Sequence, residues 1–220
     1  MQANTVAEVI QFLDQIIEDN KAIHSPMGYF AALYRKVTIR VKTGIEQGEF
    51  DDGPRMARLD VLFANRYLAA YTTYFSGGTP TASWEVAFEQ AQRRRPIVLQ
   101  HLLWGINAHI NLDLGIAAEA TARAVGQPLS ALRADFDRIN AVLAALVGDV
   151  ARALSEIWPT LKWILTFSKD IDDFLINFSM ARARDGAWRF AEALGAAPSS
   201  AHATLIAERD QKVAKIADLI

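Results

Sequence analysis

From Pro96 to Val125 the chain runs without an internal proline or turn dipeptide, and the stop signal Gly126-Gln127-Pro128 comes only afterwards. Wound at about 100° per residue, Ile116, His109, Leu102, Asp113, Ile106, Leu99, Ile110 and Leu103 follow one another round a single arc. So wide an apolar arc has to be buried by several neighbours. A long central helix around residues 96–125 is therefore expected, with the rest of the chain wrapped about it.

Helix punctuation elsewhere supplies the wrapping. Asn4 or Thr5 caps a first helix with Val6, Val9, Leu13, Ile16 and Ile17 on one stripe. Ser25-Pro26 opens a second, through roughly Gln47, and Asp52-Gly53-Pro54 a third, to Phe75. Ser76-Gly77-Gly78-Thr79-Pro80 is a loop, and Ser83 is the expected cap of a short fourth helix carrying Trp84, Ala87, Phe88 and Ala91. After the central helix come a sixth from Ser130 to about Ile157, a break at Trp158-Pro159, and a short helix from Thr160 to Phe167. Ser168 or Asp170 caps another that runs to Leu194, and a last amphipathic helix carries Leu205, Ile206, Val213 and Ile216. Val37–Val41 alternates briefly but lies in a helical frame. The expectation is an all-α, single-domain multi-helix bundle over residues 1–220.

Composition narrows the partners. With 51% apolar and 22% charged residues the chain has the makings of a packed core. A net charge of −2 provides no global field for nucleic acid or an anionic membrane. The basic run Arg93-Arg94-Arg95 reads as a helix end favouring the dipole. There is no cysteine, so a thiol nucleophile and Cys-ligated metals are excluded. No basic leader or membrane-length apolar run is seen, so a cytoplasmic monomer or homodimer is expected, with no nucleic acid and no membrane as partner.

Chemistry is suggested where polar residues sit on apolar faces. His109 and Asp113 fall within the buried arc at i,i+4 spacing, and Gly105 one turn earlier leaves room for a ligand or a neighbouring helix. A carboxylate among aliphatic residues is costly unless paired, so the pair is catalytic, ligand-binding or an internal clamp. His101 lies at the edge of the arc; Gln100, Trp104, Asn107 and Asn111 form a second polar stripe. On the third helix Met56, Asp60, Tyr67, Tyr71 and Tyr74 align, which places Asp60 among phenols or, more plainly, in an ion pair with Arg35 or Arg66. His24 is a loop residue. Asp173, Asn177, Arg184 and Trp188 make another stripe, and Asp170–Asp173 reads as dipole partners at a helix start rather than a metal motif. No di-iron, zincin, phosphate-loop or nucleophile-elbow pattern is found.

Two stretches, Phe30-Ala-Ala-Leu-Tyr34-Arg35-Lys-Val-Thr38 through Phe50-Asp-Asp and His101-Leu-Leu-Trp-Gly-Ile-Asn-Ala-His109-Ile-Asn-Leu-Asp113-Leu, resemble a bacterial helical family known as domain of unknown function 5995. The resemblance spans residues 20 to 190 or so and implies an all-α fold without assigning an activity. His109-x-x-x-Asp113, with His101 nearby, also resembles one element of the helical zinc phospholipase C and P1-nuclease group. That group uses a larger ligand set and a metal-binding N-terminal Trp, whereas this chain starts Met-Gln and has four histidines.

The reading that follows is an enzyme acting on a small organic molecule by hydrolysis, isomerisation or cyclisation. His109 would be the acid or base, Asp113 its orienting partner, and Asp60, Tyr67 or His101 further catalytic groups. Tyr34, Arg35, Tyr71, Trp104, Asn107 and Asn111 are the candidates for holding the substrate. No cofactor is expected. The alternatives are a non-catalytic ligand-binding or interaction protein, and a mononuclear hydrolase with one divalent metal on His109, Asp113 and His101.

Overall fold

Thr5 begins the first helix, as its cap spacing predicts: its hydroxyl accepts from the Glu8 N–H at 3.1 Å, and the Glu8 carboxylate accepts from the Asn4 N–H at 2.7 Å. The computed structural model describes residues 1–93, 95–140 and 180–220. Among them are eight α-helices and no strand: α1 Val6–Ala22, α2 Met27–Glu46, α3 Gly53–Phe75, α4 Ala82–Ala91, α5 Val98–Ala108, α6 Leu114–Val125, α7 Met180–Ala196 and α8 Ser199–Ala217. A 3₁₀ turn, Leu129–Leu132, leads into helical residues 133–140. The all-α expectation holds for all of these. The expected continuation to Ile157, the break at Trp158-Pro159, the helix Thr160–Phe167 and the stripe positions Asp170–Asp173 and Asn177 lie outside the described residues.

The central helix exists but is not uniform. It starts at Val98, two residues after Pro96, where the Gln100 side chain accepts from the Ile97 N–H at 3.0 Å. Between α5 and α6 the residues His109–Asp113 form one π turn. One extra residue per turn there shifts the faces before and after it, and such turns recur at functional sites. The composite helix packs against α2, α3, α4, α7 and α8, while α1 lies against α2 and α3.

Glycine makes two of these approaches close. A Cβ on Gly105 would stand 2.4 Å from the Phe30 ring of α2, and one on Gly115 would stand 2.6 Å from the Ala187 carbonyl of α7. The room that Gly105 leaves is thus taken by a neighbouring helix.

Helix starts are tied down by remote carboxylates. Ser83 was the expected cap of α4, but the helix begins at Ala82 and Ser83 is buried in its first turn. Asp210 on α8 takes the Ala82 and Ser83 N–H groups at 2.6 and 2.9 Å, a charged acceptor at the positive end of the helix dipole. Asp135 does the same before α3, accepting from the Asp51 and Asp52 N–H groups and from Arg55 and Arg138. Burial alone would raise the Asp135 carboxyl, but those hydrogen bonds outweigh it and hold it below the usual carboxylate range.

Candidate active site

Asp113 is wholly buried at the end of the π turn. Its Oδ1 accepts from Arg66 Nε of α3 at 3.0 Å, and its Oδ2 accepts from Trp84 Nε1 of α4 at 2.8 Å. His109 Nδ1 lies 3.4 Å from the same Oδ2. Three elements therefore converge on one carboxylate, and a guanidinium and an indole N–H supply the donors that a buried acid needs.

His109 is enclosed in rings. Phe63 stacks on it face to face with centroids 3.5 Å apart, Tyr34 approaches edge-on at 4.4 Å, and Phe30 and Tyr67 stand at 5.4 and 6.4 Å. Burial pushes the imidazole below its ordinary pKa; Asp113 opposes that shift and Arg66 adds to it. A neutral ring with its proton on Nδ1, toward Asp113, has a lone pair on Nε2. Nε2 is buried and has no hydrogen-bond partner.

Three further buried oxygens are likewise unpaired: Oη of Tyr34 and of Tyr67, whose rings pack against His109, and Oδ2 of Asp60, which acts on the Tyr34 phenol. Burial raises the Tyr34 phenol well above its usual pKa; the Asp60 and Asp113 carboxylates add to this, and the Thr38 hydroxyl, close by but donating to the Tyr34 carbonyl, works the other way as a weak hydrogen-bond partner. Tyr67 is raised by burial and then by Tyr71. Asp60, 7% exposed, is pushed up to about 7 by burial. The expected ion pair of Asp60 with Arg35 or Arg66 does not form. Arg35 pairs with Asp14 of α1, and Arg66 is taken by Asp113 because α3 presents it to the π turn.

The other candidates divide sharply. His101 packs against Tyr29 and Trp104, edge-on to the latter with centroids 5.7 Å apart; burial lowers it to about 4 against the pull of the Pro96 carbonyl. With Phe30, Tyr67, Trp84 and Gly105 it lines a cavity of ≈ 20 Å³, room for about one water. Tyr71 accepts from Asn20 Nδ2 at 2.8 Å and packs toward Phe75 and Phe88. The polar stripe of α5 docks α8: Gln100, Trp104 and Asn107 donate to the carbonyls of Ile220, Ala217 and Val213, and Asn111 donates to Asn107. Arg35, Tyr71, Trp104, Asn107 and Asn111 are thus separately occupied and are not brought to His109. His24 sits in the turn between α1 and α2 in the left-handed region, φ 52°. Arg184 of the later stripe is buried over the Phe136 ring.

Phe30, Phe63, Arg66 as the Asp113 partner, and Trp84 were missing from the expected site. Only Trp84 carried a signal, since a buried indole N–H needs an acceptor and Asp113 was a buried acceptor. For metal chemistry the donor set is thin: among the described residues no three His, Asp or Glu side chains converge to hold an ion.

The comparisons with known proteins bear on family rather than chemistry. No curated protein and no solved structure matches the chain. A family model described as a family of unknown function matches it over residues 6–220, nearly end to end. The chain with this ring-enclosed His–Asp pair therefore belongs to the DUF5995 family.

Proposed function

We propose that the chain is an enzyme that transforms a small organic molecule by general acid–base catalysis at His109. The observation that carries this reading is the set of four unpaired buried polar atoms, His109 Nε2, Tyr34 Oη, Tyr67 Oη and Asp60 Oδ2. Buried polar groups are nearly always satisfied, so unpaired atoms on His109 itself and on two phenols whose rings pack against it, one of them influenced by Asp60, point to a polar molecule that belongs among them. His109 Nε2 is the base, Asp113 holds the ring and balances the charge it gains, and protonated Asp60 or a phenol returns the proton. Such proton transfer suits hydrolysis, isomerisation or cyclisation and needs no redox cofactor.

The test is turnover on a panel of small esters, lactones and enolisable ketones. His109→Gln should lower kcat/KM by about a hundredfold or more on whichever substrate the native chain accepts. A variant as active as the native chain would refute the reading. One observation favours a second reading: Asp113 binds α3, α4 and the π turn together, as a non-catalytic clamp would. In that case His109→Gln would lower stability and alter nothing else.

A further inference from the structure

The polar stripe of α5 and its partners at the C-terminal end of the chain form a ladder whose last rung lies beyond α5. Gln100, Trp104 and Asn107 reach the carbonyls of Ile220, Ala217 and Val213 at 2.8, 3.0 and 2.9 Å. Each step is about one helical turn, taken in opposite directions along the two segments. The next step pairs Asn111 with Arg209, and there the donor changes sides: Arg209 Nε donates to the Asn111 carbonyl at 2.8 Å. Asn111 is the middle residue of the π turn that carries His109 and Asp113. The guanidinium also stands over the Phe190 ring of α7, 5.6 Å from its centre, which helps to hold it in place.

Asp210, the next residue, acts from the same turn of α8 on a different element. Its carboxylate accepts from the Ala82 and Ser83 N–H groups at 2.6 and 2.9 Å, and Trp84 follows directly in the chain. Trp84 Nε1 donates to Asp113 Oδ2 at 2.8 Å, and His109 Nδ1 lies 3.4 Å from that same oxygen. These links close a ring. It runs from Asp113 back along the π turn to the Asn111 carbonyl, across to Arg209 and Asp210, on to the start of α4, and through Trp84 to Asp113 again. Both links to α8 have one charged partner, the stronger kind of hydrogen bond. The three uncharged rungs dock α8 on α5, whereas these two charged groups hold the two elements that meet at Asp113.

We propose that Arg209 and Asp210 are positioning residues for the His109–Asp113 pair, a clasp on α8 that fixes the π turn and the start of α4 against each other. This rests on the proposed reading of that pair as catalytic, and it names what holds its geometry. Asp113 Oδ2 is shared between the Trp84 N–H and His109. When α4 is freed from Asp210, the indole draws back and Oδ2 is left to His109, as a better acceptor that favours the charged ring. When Arg209 is removed, the π turn is free to relax toward an ordinary helix, and the spacing of His109 and Asp113 changes with it.

The experiment follows the full chain by NMR, with the Trp84 indole N–H and the His109 side-chain nitrogens as reporters. Asp210→Asn keeps the volume and turns an NH₂ group toward one of the two amides. It should move the Trp84 indole signal and raise the His109 titration midpoint by about half a unit or more. Arg209→Met removes the donor, keeps much of the length, and should move the His109 nitrogen signals. Val213→Ala is the control, since it deletes buried methyl groups one turn along α8 and leaves both charged side chains in place. It should destabilise the chain and leave the reporters at their native positions. The proposal is overturned if either charged variant leaves its reporters unmoved, or if Val213→Ala moves them as far. On a substrate whose turnover depends on His109, Asp210→Asn should lower kcat/KM about tenfold and carry the limb of the pH profile upward with the His109 midpoint. An unchanged limb there also overturns it. Should His109→Gln keep full turnover, the enzyme reading falls, while the NMR signals still decide whether the clasp sets the pair.

Discussion

At the scale of single residues, Asp60 and Asp113 are two buried carboxyls with opposite circumstances. Asp60 has no partner, and burial lifts it to about 7. It therefore keeps its proton in the folded chain between about pH 4 and pH 7, while the unfolded chain has already lost it. Its contribution to stability falls as pH rises through that window. Asp60→Asn should leave stability at pH 4 almost unchanged and raise it at pH 8 by up to about 4 kcal/mol, read from urea unfolding at the two pH values. An equal effect at both would mean that the carboxyl does not titrate in this window. Asp113 is the reverse case, with a donor on each oxygen. Asp113→Asn turns an NH₂ toward Arg66 or Trp84 and should cost about 2–4 kcal/mol. Arg66, one-third exposed, can turn to water, which limits the loss. If the variant is destabilised yet turns over substrate at the native rate, Asp113 is a clamp and nothing more.

Among the elements, the π turn and the borrowed caps decide where side chains point. The spacing of His109 and Asp113 was legible, and so was their place on a buried face, because both follow from helical periodicity. The extra residue in His109–Asp113 was not, since no residue type marks a π turn. The start of α4 was misplaced for a related reason: its acceptor, Asp210, stands more than a hundred residues away in the chain. Asp210→Ala should cost about 1–2 kcal/mol and speed hydrogen exchange at the Ala82 and Ser83 amides. Unchanged exchange there would show that α4 does not depend on α8 for its start. Gly105→Ala places a methyl against the Phe30 ring, 2.4 Å away, and should destabilise by about 1–3 kcal/mol in thermal or urea melts. Phe30 also contacts His109, so the same variant should disturb the His109 ring signals.

For the molecule as a whole, the opposed titrations of its buried groups set the pH profile. Burial lowers His101 to about 4 and pushes His109 below its usual range. Their contribution is complete above about pH 6.5 and is lost as pH falls below it, because the unfolded histidines take up protons first. Asp60 acts in the opposite direction over the same window. The native chain should therefore show a flatter stability curve between pH 4 and pH 7 than Asp60→Asn, whose stability should rise steadily. A native curve as steep as the variant's would contradict the burial of Asp60. The sequence by itself determined the helical class, the order of α1 to α4 and of the long helix that holds α5 and α6, and the buried pair of His109 and Asp113. Those rest on local caps and a 3.6-residue period, which act between near neighbours. Only the tertiary structure decided that Arg66 goes to Asp113, that Trp84 closes the carboxylate, and that Trp104 and Asn107 dock α8. Each of these joins residues distant in the chain, and which donor reaches which buried acceptor is settled by how helices pack, a quantity that no local pattern contains.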